Sequence, residues 1–232
     1  MASDPERSQI QWDWTKIVFL NAAKLILVLF LSGVTAIGYL VFRSHDPLYV
    51  LRELKNWSDY RRFDNLIVRV ASEHNLDPRL VKAVVWRESR FQADMVGKNG
   101  ERGLMQVTEV AARDWAASKG LPGIEPSHLF DPETNLEIGS WYLGKAMQRW
   151  LAQGDAIPFA LAEYNAGKSR VDRWVRSAGK KTDGAVSAQS FEDSIDFPST
   201  ARYVRTILAR YDFYKRRGPL KLADSGRLAE PE

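Results

Sequence analysis

Few side chains in this chain are of a type and placement that could do chemistry, and the strongest candidate is one carboxylate. Glu88 sits in "VVWRESRF", and Val81, Val84 and Val85 precede it by seven, four and three residues. On a helix those four side chains share a face, so the carboxyl emerges from an apolar stripe. Arg87 and Arg90, one and two positions away, point elsewhere and are not natural partners by local geometry. Desolvation by valines and the negative end of the helix macrodipole both disfavour the ionised form. A glutamic acid kept protonated near neutral pH can act as a general acid, the role such a carboxyl plays in glycoside cleavage. The alternative is a helix-end glutamate that meets solvent or an arginine from elsewhere.

Other chemistry is poorly supplied. The chain has no cysteine, which excludes disulfides, thiolate metal sites, cysteine nucleophiles and a lipidated cysteine. His45, His74 and His128 are scattered and match no metal-ligand spacing, so neither a metal nor any other cofactor is expected. A net charge of +4 suits an anionic partner only weakly and does not identify nucleic acid as one.

The elements that must position Glu88 read as helix after helix, with no alternating run long enough for a sheet, so the fold class is all-α. Capping residues mark helix starts at Ser58-Asp59, at Asp77-Pro78, at Thr108 and at Asp131-Pro132. A last long helix begins near Pro198 or Ser199, with Tyr203, Ile207, Tyr211 and Tyr214 along a stripe expected to be core.

Ahead of this domain, residues 17–42 read "IVFLNAAKLILVLFLSGVTAIGYLVF", uncharged from Leu25 onward. About 20 apolar residues cross a bilayer. Lys24 could snorkel, and Trp12, Trp14 and Tyr39 fall near the two interfaces. A retained anchor is favoured over a cleaved signal, because the apolar run exceeds the ~7–15 residues of a signal core and acidic residues precede it. Arg7 and Lys16 before the span hardly outweigh Arg43, Arg52 and Lys55 after it, so charge alone leaves the orientation open. The expected organisation is a short segment 1–15, an anchor 16–43, a stalk 44–60 with a short amphipathic helix between Pro47 and Trp57, a catalytic domain 61–216 and a disordered tail 217–232.

Two further stretches bear on Glu88: "GERGLMQV" at 100–107 and "ALAEYNAG" at 160–167. Taken in order, Glu88-Ser89, "GLMQ" at 103–106, "LFDPETNLEIGSWYL" at 129–143 and "YNAG" at 164–167 resemble the lytic transglycosylase domain of the soluble-transglycosylase type. The resemblance covers roughly residues 63–214 and extends to "FEDSIDFPSTARYVRTIL". Four ordered motifs are far more specific than any one of them.

The resemblance implies a lysozyme-like α-helical domain that cleaves peptidoglycan. Glu88 would be the acid that protonates the glycosidic oxygen between N-acetylmuramic acid and N-acetylglucosamine, and then the base that takes the muramoyl C6 hydroxyl proton as a 1,6-anhydro ring closes. Tyr164 would reach toward that carboxyl. Ser89, Met105, Gln106, Asn165 and Asp193 would contribute to the saccharide groove or help hold the site. Core packing is the competing role for Met105, and a turn role for Asn165. The substrate would place residues 1–15 in the cytoplasm of a bacterium, a single span in the inner membrane, and the domain in the periplasm or outside. A water-using muramidase, or a glycan-binding scaffold without turnover, are the alternatives.

The chain departs from the resembled pattern at three places. Gly97 stands where many relatives carry a serine nine residues after the glutamate, Glu101 where small residues are frequent, and Glu163 where alanine commonly precedes "YNAG". Either glutamate could bring a second carboxylate to the site.

Overall fold

The computed structural model describes residues 14–44, 59–182 and 186–220. The segment 1–13, the helix expected between Pro47 and Trp57, and tail residues 221–232 lie outside them. The chain divides into two compact units, Met1–Trp57 and Ser58–Glu232. In the first, α1 runs from Trp14 to Ser44 and contains a 19-residue stretch, Asn21–Tyr39, apolar enough to cross a membrane and without any buried part. Leu25, Ile26, Val28 and Phe30 are each at least 60% exposed, a surface that water would solvate poorly.

The second unit is all-α among its described residues. A 3-10 turn at Asp59–Arg61 precedes α2 (Asp64–Glu73) and α3 (Pro78–Ser89). The helix expected from Ser58-Asp59 thus begins five residues later, where Phe63 enters without a side-chain cap. The other starts follow their caps. Asp77 accepts from the Arg79 N–H ahead of α3, Thr108 from the Ala111 N–H ahead of α4 (Glu109–Ser118), and Asp131 from the Thr134 N–H ahead of α5 (Pro132–Trp150). Then come α6 (Ile157–Ala166), α7 (Lys168–Thr182), α8 (Ala188–Glu192) and α9 (Pro198–Arg216).

Helix α3 is the spine of the unit. Leu80, Val81, Ala83, Val84 and Val85 are at most 2% exposed, and the helix packs against α2 and α9. Each fully buried Val or Leu contributes about 1.5–3 kcal/mol of transfer free energy. Helix α5 packs on α2, α4 and α6, and α6 packs in turn on α7, α8 and α9. This arrangement brings the C-terminal end of α3, the loop 95–107, the end of α6 and the start of α9 together.

Candidate active site

Helix α3 ends at Ser89, one residue after Glu88, because Arg90 turns left-handed at φ 54° and Phe91 follows at φ 63°. Two successive non-glycine residues in that region are uncommon. The buried Phe91 side chain and the Ser89 hydroxyl hold them there, the latter donating to the Leu104 carbonyl at 2.8 Å. Ser89 therefore clamps the helix end to the loop that carries Met105 and Gln106.

That loop is pinned again from α5. The buried Asn135 amide donates to the Arg102 and Leu129 carbonyls and accepts from the Met105 N–H, each at 2.7 Å. Gly103, at φ 77°, admits the amide, since a β-carbon there would lie 2.3 Å from Asn135 Nδ2. Met105 is fully buried, its thioether laid on Gly139 of α5. Its backbone carbonyl faces Tyr164, whose hydroxyl donates to it at 2.8 Å.

Glu88 retains some surface, but its carboxyl is desolvated. Burial is the largest influence and raises its pKa to about 7; the Tyr203 hydrogen bond and Arg87 charge oppose this, and Glu101 adds to it. The Tyr203 hydroxyl donates to Glu88 Oε1 at 2.6 Å. Tyr203 lay on the stripe expected to be core. Its ring is indeed buried, but its hydroxyl reaches the carboxyl from the facing helix, a contact 115 residues away that helical periodicity does not reveal. Arg87, expected to be uninvolved, lies 5.4 Å from the Tyr203 ring, and its charge reaches the carboxyl. Burial and the nearby carboxyl push both the Tyr164 and Tyr203 hydroxyls well above the usual phenol range, so both remain donors.

The remaining sequence candidates are dispersed around this centre. Gln106, at φ 48°, donates both amide hydrogens to the Met95 and Gly103 carbonyls. It lines a cavity of about 190 Å³ together with Asp114, Tyr142, Glu163 and Tyr164. Asn165 is exposed and accepts from the Thr200 hydroxyl, and the exposed Asp193 accepts from Gln189; neither bond involves Glu88. Glu163 is buried, accepts from Trp150 Nε1 at 2.7 Å and pairs with Arg149. Glu101 is tied to Asn99 but acts electrostatically on Glu88.

One desolvated carboxyl with a phenol donor on one oxygen, beside a second phenol, can deliver a proton and then be supported as an anion. No group of three or more His, Asp or Glu side chains suited to a metal occurs among the described residues.

Comparison with known proteins identifies relatives of this chain. The soluble lytic murein transglycosylase of Escherichia coli K12 is 33% identical over 155 residues, covering 66% of this chain and 23% of that protein. Membrane-bound lytic murein transglycosylase F of Desulfosudis oleivorans is 34% identical over 113 residues, covering 47% of this chain and 23% of that protein. The crystal structure of the 70-kDa soluble lytic transglycosylase of Escherichia coli superposes with a TM-score of 0.58 at 30% identity, over 68% of this chain and 25% of that one. An inactive mutant of the lytic transglycosylase Slt of Pseudomonas aeruginosa gives 0.58 at 25% identity, over 66% and 24%. The chain thus matches about a quarter of the length of these relatives. The model of the Transglycosylase SLT domain matches residues 65–186, more than half of the sequence, and the chain belongs to that family.

Proposed function

We propose that this protein is a peptidoglycan lytic transglycosylase in which Glu88 is first acid and then base. The observation that carries the reading is the burial of the Glu88 carboxyl, which raises its pKa to about 7 and keeps about half of it protonated at neutral pH. That proton passes to the oxygen linking muramoyl C1 to the next N-acetylglucosamine, and the C1–O bond breaks. The muramoyl C6 hydroxyl attacks C1, and its proton returns to Glu88. No water is consumed, so a second carboxylate to activate water is not required.

Tyr203 supports the transient carboxylate through the hydrogen bond to Oε1. Tyr164 stands beside the reacting bond, and Gln106 with the cavity next to it receives part of the glycan. Ser89 and Met105 act by holding the loop, and Asn165 and Asp193 support the outer groove.

The apolar helix α1 anchors the protein in the inner membrane as a single span, consistent with its hydropathy and exposure. A peptidoglycan substrate then requires the catalytic unit on the periplasmic or outer side. Recovery in the membrane pellet after alkaline extraction is expected; release into the supernatant would remove the anchor.

The deciding experiment is mass spectrometry of sacculi digested by the full chain. Anhydro-muropeptides, lighter by one water than hydrolysed ones, are expected, and their loss in Glu88→Gln with sacculus binding retained. Reducing ends in place of anhydro ends would make the protein a muramidase, and binding without any release would make it a scaffold.

A further inference from the structure

Phe91 stands three residues beyond Glu88 with its backbone at φ 63°, directly after Arg90 at φ 54°. Left-handed backbone is costly for bulky residues, and two in succession persist only where surrounding contacts hold them. The Phe91 ring is where such contacts fall, since the residue is only 4% exposed. It meets the Tyr60 ring, with centroids 5.1 Å apart and planes tilted by 40°. Lys82 of α3 places its ammonium 5.9 Å from the Phe91 ring centre, and the pairing of Lys82 with Asp64 fixes it there.

Lys82 and Asp64 belong to the packed helices α3 and α2, but Tyr60 comes from outside them. It lies half-buried in the 3-10 turn Asp59–Arg61, ahead of residue 65, where the match to the Transglycosylase SLT domain begins. Phe63 fastens this turn to α2, its side chain buried and its carbonyl accepting from the Ile67 N–H at 2.8 Å. A segment ahead of the matched domain therefore supplies a ring contact to the bend that ends α3.

That bend sets where Glu88 stands. Ser89 joins Glu88 to the two left-handed residues; its carbonyl accepts from the Gln92 N–H at 3.1 Å, and its hydroxyl donates to the Leu104 carbonyl. Relaxation of Phe91 to negative φ would swing this turn and open the carboxyl to water.

We infer that Tyr60 is a positioning residue for Glu88, its ring bracing Phe91 so that the left-handed turn keeps the carboxyl in its desolvated place. Tyr60 acts through Phe91 rather than on the sugar. The brace rests on the proposed role of Glu88 as the acid and adds a contribution from the segment that precedes the domain.

The test follows Tyr60→Ala, Tyr60→Leu and Tyr60→Phe in the full chain by two readouts, the pH profile of anhydro-product release and a carbon NMR titration of the Glu88 carboxyl. Arg87, Glu101, Tyr164 and Tyr203, the charged and titratable groups that act on or respond to Glu88, are the same in all three, so a displaced titration reports burial. Tyr60→Ala should lower kcat about tenfold with little change in KM. Its alkaline limb and its carboxyl titration should both move to lower pH as water reaches Glu88. Tyr60→Leu keeps more apolar volume and carries the same expectation if the alanine variant does not fold, whereas Tyr60→Phe should match wild type. Wild-type kcat and titration in the folded alanine or leucine variant, or no rescue by Tyr60→Phe, overturns the brace. A displaced titration in the variants, with no anhydro product from wild type, overturns the reaction and leaves the brace standing.

Discussion

The Tyr203 hydroxyl donates to Glu88 Oε1 at 2.6 Å, joining the start of α9 to the end of α3. The bond favours the carboxylate, while burial favours the acid, and burial prevails. A general acid must hold its proton before the reaction and release it during the reaction. On the proposed reaction, burial would supply the first property to Glu88 and Tyr203 would ease the second.

Tyr203→Phe removes the donor and keeps the ring. The Glu88 pKa should then rise further above about 7, because the lowering influence is lost while burial remains. The alkaline limb of the kcat/KM profile should move to higher pH, and kcat should fall about tenfold or more with the loss of anion support. A limb that stays in place would mean that Tyr203 does not govern this proton.

Glu88→Gln should abolish turnover and stabilise the fold above neutral pH. The folded protein holds this proton more tightly than the unfolded chain, whose value is near 4.5. The contribution of Glu88 to stability is therefore fully present below about pH 4.5 and is lost as pH rises through about 7. A shift of this size corresponds to about 3 kcal/mol. Thermal unfolding at pH 8 should show the variant melting higher than wild type, with the gap closing toward pH 4. A variant that melts lower at pH 8 would contradict the desolvation of Glu88.

These two side chains show what the sequence disclosed and what it withheld. Three valines at helical spacing placed Glu88 on an apolar face, and Asp77, Thr108 and Asp131 disclosed their helix starts, because both signals are local. Tyr203 gave only its periodicity, which describes the ring and says nothing of where the hydroxyl ends. Intrahelical geometry gives Arg87 no role, yet it lies over the Tyr203 ring where α3 packs on α9, and its charge reaches the Glu88 carboxyl. Glu101 and Glu163 looked equivalent as spare acids, but Trp150 and Arg149 draw Glu163 into the core while the turn at Gly97 keeps Glu101 at the rim.

Asn135 provides a test of the loop that carries Met105 and Gln106. One amide nitrogen serves two carbonyls, and one amide oxygen takes the Met105 N–H. Asn135→Ala leaves these buried groups without partners and should cost about 3 kcal/mol or more. Asn135→Asp is nearly isosteric but sets an acceptor against the Arg102 and Leu129 carbonyls, so it should be comparably damaging. Urea unfolding distinguishes the outcomes; a tolerated aspartate would show that the two carbonyls do not need this donor.

The ion pair of Asp64 and Lys82 makes the last prediction. Their side chains are almost wholly buried, with Nζ 2.5 Å from Oδ1 and the ammonium 5.3 Å from the Tyr214 ring centre. Burial raises the Asp64 pKa and lowers that of Lys82 despite their mutual attraction, so desolvation outweighs pairing for each. Such a pair adds little net stability, but either charge alone is costly. Asp64→Leu or Lys82→Met singly should destabilise by about 3–5 kcal/mol, whereas the double variant should return close to wild type. A double-mutant cycle from urea unfolding measures the difference. Additive losses in the double variant would mean that the two charges are not coupled, and would overturn their mutual neutralisation.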